Sequence, residues 1–144
     1  MGIKIELENV ELLQDSFKNN KQAFTNEEEI HNNLTRTFKL GIAKNEEDEN
    51  DERLVFKYDA IFEQKDEEGE KVFSKSTVQY LFFFTDINGE TIKKLKSSNI
   101  TEDDKTELVL YLNKLSYPYI KEHIESKYKK ANIEVKLPFE LDDK

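Results

Sequence analysis

The chain has 144 residues, a length suited to one domain with its own core. Charged residues make up 37% and hydrophobic ones 36%, with a formal net charge of -9, which argues against a nucleic-acid backbone or an anionic membrane surface as the main partner. The absence of cysteine excludes disulfides, thiol catalysis and cysteine-ligated metals, while ten Phe and six Tyr are too many for a disordered acidic chain.

The opening MGIKIELENV contains no apolar signal-type stretch, and no run approaches transmembrane length, so a cytoplasmic location is expected. Ile3, Ile5 and Leu7 alternate, and the phase then slips at Val10, Leu12 and Leu13. This predicts a strand over residues 3–13 with a bulge or bend at the phase change. Residues 14–33 are polar and rich in Asn, Lys and Glu. They read as a long loop anchored at Phe17 and Phe24, with one helical turn over 25–28. Leu34, Arg36, Phe38, Leu40 and Ile42 alternate in a second strand.

Six carboxylates fall between Asn45 and Glu52. Asp48, Asn50 and Glu52 stand at alternate positions, as in a calcium loop, but Arg53 occupies the place where an EF-hand needs Gly. The segment therefore reads as a solvated hairpin loop. Leu54, Phe56, Tyr58, Ala60 and Phe62 mark one face of a third strand. A polar turn surrounds Gly69, and a fourth strand spans about 72–85, followed by turn chemistry at Asp86-Ile87-Asn88-Gly89. Four strands joined in sequence predict an antiparallel meander.

Thr101, followed by Glu102, Asp103 and Asp104, predicts a helix N-cap with acids in the first turn. Leu108, Leu112 and Leu115 form one stripe of that helix. Val109, Leu110 and Tyr111 make its first half apolar nearly all round, which predicts burial on more than one side. Pro118 lacks an N–H and crowds the carbonyl of Lys114, predicting a kink or break near Ser116-Tyr117. Beyond it, Tyr119 or Ile120, His123 or Ile124, and Tyr128 form the inner side, and Ile133, Val135 and Leu137 alternate before Pro138. The expected class is thus α+β: a four-stranded antiparallel sheet packed with a long, Pro-kinked C-terminal helix, in one domain over 1–144.

Templates for catalysis fail. His31 lies in a polar stretch and His123 on the helix, and neither has the spacing of a metal site. The four Gly are isolated and form no phosphate loop, and no nucleophile elbow is present. No catalytic residue, metal or cofactor is expected. The informative feature is an apolar surplus. In QYLFFFTD, Tyr80, Phe82 and Phe84 point one way while Leu81 and Phe83 point the other, so both faces of that strand are apolar. One helix layer covers one sheet face. Covering Leu81 and Phe83 is worth roughly 3–6 kcal/mol, supplied either by the chain's own loop through Phe17 and Phe24 or by association with itself or another chain.

Four strands, a long helix with a central aromatic-Pro-aromatic step and a short apolar tail resemble the SecB export chaperone family. The residues that carry the resemblance are YPYIKEHI at 117–124, the following IEVKLPFEL, and the opening IELENVELLQDSF. The resemblance implies a non-catalytic homotetramer, a dimer of dimers with long helices sandwiched between sheets, that binds unfolded polypeptides along apolar grooves. On that reading Leu108, Leu112, Leu115 and Tyr119 serve the oligomer interface, and Phe17, Phe24, Leu81 and Phe83 the polypeptide-binding surface. Family members continue into a second helix and a motor-binding segment, whereas this sequence ends five residues after Phe139. The expectation is therefore SecB-like architecture rather than a role in secretion, because a fold does not settle a function. The competing expectation is an adaptor or immunity-like protein, including one serving a toxin–antitoxin pair, that binds a single partner.

Overall fold

The computed structural model describes residues 2–20, 29–48, 50–97 and 99–139. Four strands, β1 (Ile5–Asn19), β2 (His31–Lys44), β3 (Glu52–Lys65) and β4 (Val72–Asp86), precede a short helix α1 (Glu90–Lys96) and a long helix α2 (Glu102–Lys130). The architecture is α+β, a four-stranded antiparallel sheet with a long C-terminal helix.

The sheet order is β1-β4-β3-β2. Strands β2, β3 and β4 form the expected meander, and β1 corrects it by lying beside β4 rather than β2. This is Greek-key order. Short polar turns hold β2–β3 and β3–β4 together: Asn45 N–H donates to the Asp51 carbonyl (2.9 Å), and Asp66 N–H to that of Lys71 (3.1 Å). The long connection before β2 imposes no such neighbourhood, so β1 can take the open edge of β4. There Leu7 and Val10 lie opposite Phe84 and Phe82.

β1 is also longer than the expected strand. Its register shifts between Leu7 and Asn9 and again between Leu12 and Gln14. Each shift adds one residue and reverses which parity faces the core. The phase slip at Val10 is the first bulge. The second returns odd positions to the core side, so Asp15 and Phe17 face the helix from a strand, not from a loop. The ring of Phe17 meets that of Tyr128 edge-on at 5.0 Å. Phe24 and the turn expected at 25–28 lie outside the described residues.

One sheet face builds the core. Leu54, Phe56, Tyr58, Ala60 and Phe62 of β3 and Val78, Phe82 and Phe84 of β4 are buried there against Leu108, Leu112, Tyr117, Ile120, Ile124 and Tyr128 of α2. Before α1, Gly89 adopts a left-handed backbone, φ 73°, which costs glycine nothing. The Asp86 carboxylate accepts from the Ile92 N–H at 2.8 Å, and the turn chemistry read at 86–89 thus opens a helix that the sequence reading did not predict.

Thr101 caps α2 as expected, its hydroxyl accepting from the Asp104 N–H at 3.0 Å. Thr101→Ala is expected to lower the unfolding free energy by about 1 kcal/mol, the usual worth of such a cap; urea melts check it. The helix runs through Pro118 as one element, without the break foreseen as one outcome there. Lys114, whose carbonyl loses its donor, and Pro118 are both exposed, so water can serve that carbonyl. Ser116, Tyr117 and Ile120 are buried on either side of Pro118 and hold both halves on the sheet. The described residues after α2 form no further helix or strand, and Val135 among them is buried. The Tyr117 hydroxyl donates to the Pro138 carbonyl at 2.8 Å and the Glu125 carboxylate accepts from the Leu137 N–H at 2.7 Å. Among the described residues, no helix is long and apolar enough to cross a membrane.

Candidate functional site

Pleating sends alternate residues of each strand to opposite faces. Because Leu54, Phe56, Phe82 and Phe84 point into the core, Val55, Ile61, Leu81 and Phe83 point out of it. All four are half-buried, yet none belongs to the packed core cluster or its margin. Both helices and the C-terminal residues Ile133, Val135 and Leu137 pack on the opposite face. Among the described residues, this outer face therefore has no covering layer.

The apolar centre of that face follows from register. Phe83 lies opposite Val55 on one side and Asn9 on the other, and Leu81 lies between Lys57 and Glu11. Next to Val55 stands Gly41 of β2, and nothing lies within 4 Å of where its Cβ would be. The result is an apolar patch beside open space at Gly41, with Lys57 and Glu11 flanking Leu81. At one end of the sheet Arg53 pairs with Glu8 and Asp51, and Glu8 also accepts from the Thr85 hydroxyl at 2.6 Å. The Thr85 and Arg53 bonds hold the Glu8 carboxyl below its ordinary range.

The residues expected to bind polypeptide do not share a surface. Leu81 and Phe83 are on the outer face, and Phe17 is on the helix side against Tyr128. Val55 and Ile61 were missed, although their signal was present: two apolar residues at the odd positions of β3, among Arg53, Lys57, Asp59 and Glu63.

The expected interface residues also divide. Leu108 and Leu112 are fully buried in the chain's own core and, so placed, leave no side-chain surface for a second chain. Leu115 is half-buried, and Tyr119 is 42% exposed beside Phe82, ring centroids 5.7 Å apart. Leu110 and Tyr111 on the same helix, and Leu12 and Leu13 on β1, are exposed as well. The two-sided helix thus has one face in the core and an apolar remainder in solvent.

Two concave regions adjoin α2. A groove of about 1000 Å³ between the helix and the following segment is lined by Pro118, Lys121, Glu125, Ile133 and Phe139, among others. A smaller hollow of about 320 Å³ is lined by Tyr80, Tyr119, Glu122, His123, Lys127 and Lys130. His123 bonds through Nδ1 to the Tyr80 hydroxyl and through Nε2 to Asp15, each at 2.9 Å. Lys127 Nζ lies 2.5 Å from the other Asp15 oxygen. The carboxylate-rich segment that begins at Asn45, weighed above as a calcium loop, closes as a hairpin through its own Asx contacts, Glu47 N–H to Asn45 Oδ1 and Asn50 N–H to Asp48 Oδ1. Among the described residues, no group of three or more His, Asp or Glu is placed to hold a metal ion.

The sequence matches no protein-family profile and no curated protein. The fold does match a solved structure, a SecB-like chaperone of Mycobacterium tuberculosis in complex with a ChAD peptide from the HigA1 antitoxin. The TM-score is 0.62 at 12% sequence identity, covering 93% of this chain and 89% of that one. The likeness establishes a SecB-like fold.

Proposed function

We propose that this protein binds non-native polypeptide segments without catalysis, as a SecB-like chaperone-type oligomer. The observation that carries the proposal is the uncovered outer sheet face, where Leu81, Phe83 and Val55 form an apolar centre with no covering layer among the described residues. An extended apolar segment laid over it would remove that surface from water. The net charge of -9 would steer basic, unfolded clients toward it. The exposed side of α2, through Tyr111, Leu115 and Tyr119, would join chains into a dimer or tetramer. A cytoplasmic setting suits such a role.

A second reading, an adaptor for one partner, is favoured by the solved neighbour, which holds a peptide of one specific antitoxin. The two readings separate in a single comparison. A general holdase suppresses aggregation of several unrelated denatured proteins, whereas an adaptor ignores them and retains one partner in pull-downs. In either case the Leu81→Ser, Phe83→Ser double variant is expected to bind polypeptide about tenfold more weakly, equivalent to about 1.4 kcal/mol. Fluorescence titration with a labelled apolar peptide, or with the retained partner, measures this. Unchanged affinity would remove the outer face from the proposal.

A further inference from the structure

We propose that the segment received by the outer sheet face carries a carboxylate two residues from its apolar anchor, and that Lys39 and Lys57 hold that carboxylate. This specificity rests on the outer face being the binding surface proposed above. Lys39 of β2 stands directly opposite Lys57 of β3, and Leu81 of β4 flanks Lys57 on its other side. Pleating turns all three outward, because Phe56, Tyr58 and Phe82 belong to the core and Phe38 packs against it.

Two like charges directly opposite each other on neighbouring strands repel. The other odd-numbered cations of β3 are neutralised, Arg53 by Glu8 and Asp51 and Lys65 by Glu63. Lys57, between them, is half-buried, and among the described residues neither it nor Lys39 has an ion pair. Asp59, the next outward residue of β3, stands opposite Thr37 and Gln79 instead. Glu11 is separated from Lys57 by the width of β4, at Leu81. The two lysines thus leave an uncompensated positive spot beside the apolar centre, in a chain of net charge -9. The net charge acts on approach, and salt screens it beyond about 8 Å. At contact the two ammonium groups dominate and favour a carboxylate. The preferred segment is therefore basic overall and carries one well-placed acid.

Register sets where that acid belongs. Val55 and Gly41 are opposite each other, beside Phe83, and Lys57 and Lys39 each follow or precede them by two residues. An extended segment laid along the strands advances about 3.3 Å per residue and turns every second side chain toward the sheet. An apolar side chain over Val55 takes the open space at Gly41. The side chain two residues away, before or after it according to the direction of the segment, then lies over the lysines. A carboxylate there accepts from both ammonium groups in charge-assisted bonds. The residue between the two points away from the sheet.

The test titrates labelled, end-capped peptides, each with one Phe among Val and Thr, against the wild type and two double variants. These are Lys39→Gln with Lys57→Gln, and Leu81→Ser with Phe83→Ser. Asp placed two residues before or after Phe is compared with Asn at the same place, and with Asp next to Phe. In one of the two orders, Asp is expected to bind the wild type about threefold more tightly than Asn in low salt, the scale of an exposed ion pair. The gain should shrink in about 0.5 M salt, be absent for Asp next to Phe, and vanish in the lysine variant. No gain in either order, an equal gain for Asp next to Phe, or a gain that survives in the lysine variant overturns the lysine site. If the serine variant still weakens binding of every peptide, the outer face remains the binding surface without it. Affinities untouched by the serine variant remove the outer face itself, and the lysine site with it.

Discussion

Replacing Phe82 with Ala is expected to lower the unfolding free energy by about 3–5 kcal/mol, the range for truncating a buried Phe. Phe82 is fully buried at the centre of the sheet. Its ring contacts those of Tyr58, Tyr80 and Tyr119 at 6.3, 5.6 and 5.7 Å between centroids. Those three side chains come from two strands and α2, so the cavity cannot collapse by moving one of them alone. A domain of this size has about 5–15 kcal/mol in total, and the variant should retain its fold with a much lower urea midpoint. The adjacent residue supplies the contrast. Phe83, one position along, faces the uncovered side, and its replacement by Ser with Leu81→Ser should cost well under half as much while weakening polypeptide binding. Equal losses of stability, with binding unaltered, would mean that both faces of β4 are core and that the functional proposal fails.

A charge at Leu112 is expected to do more damage still. Leu112 is fully buried between the sheet and its own helix. Leu112→Glu removes an apolar contact and buries a carboxyl without a partner, a combined cost of about 4 kcal/mol or more. Near-UV circular dichroism of the tyrosines and gel filtration should report loss of the chain's own native packing. A folded Leu112→Glu protein of native midpoint would contradict the burial of Leu112. Tyr119, exposed on the same helix, tests assembly separately. Tyr119→Glu should leave secondary structure in place and shift light scattering toward the 17.0 kDa chain. If the wild type is itself a monomer at micromolar concentration, the helix face is not an interface.

Much of the fold was legible because its signals are local. Alternation at 34–42 and 54–62, turn residues around Gly69 and Gly89, and the Thr101 cap each act within a few residues of chain. Those interactions form wherever the segment ends up. The same is true of the surplus in QYLFFFTD, since pleating alone places Leu81 and Phe83 opposite Phe82 and Phe84. The SecB-like arrangement was likewise readable from the order of elements and the aromatic-Pro-aromatic step.

Tertiary structure decided everything that depends on which neighbour covers a given side. Periodicity assigns residues to a common face but does not name what packs on it. The stripe Leu108, Leu112 and Leu115 could therefore be read as an interface, and only the folded chain shows that its first two members are spent inside its own core. β1 makes the same point at the level of register. Each of its two bulges sets one extra β1 residue against β4 and reverses the inward parity, so the second undoes the first and Phe17 returns to the helix side. The second bulge also brings Asp15 to His123, 108 positions away in sequence. No local pattern encodes a contact of that span; it arises only when the edge strand and the helix are laid on the same sheet.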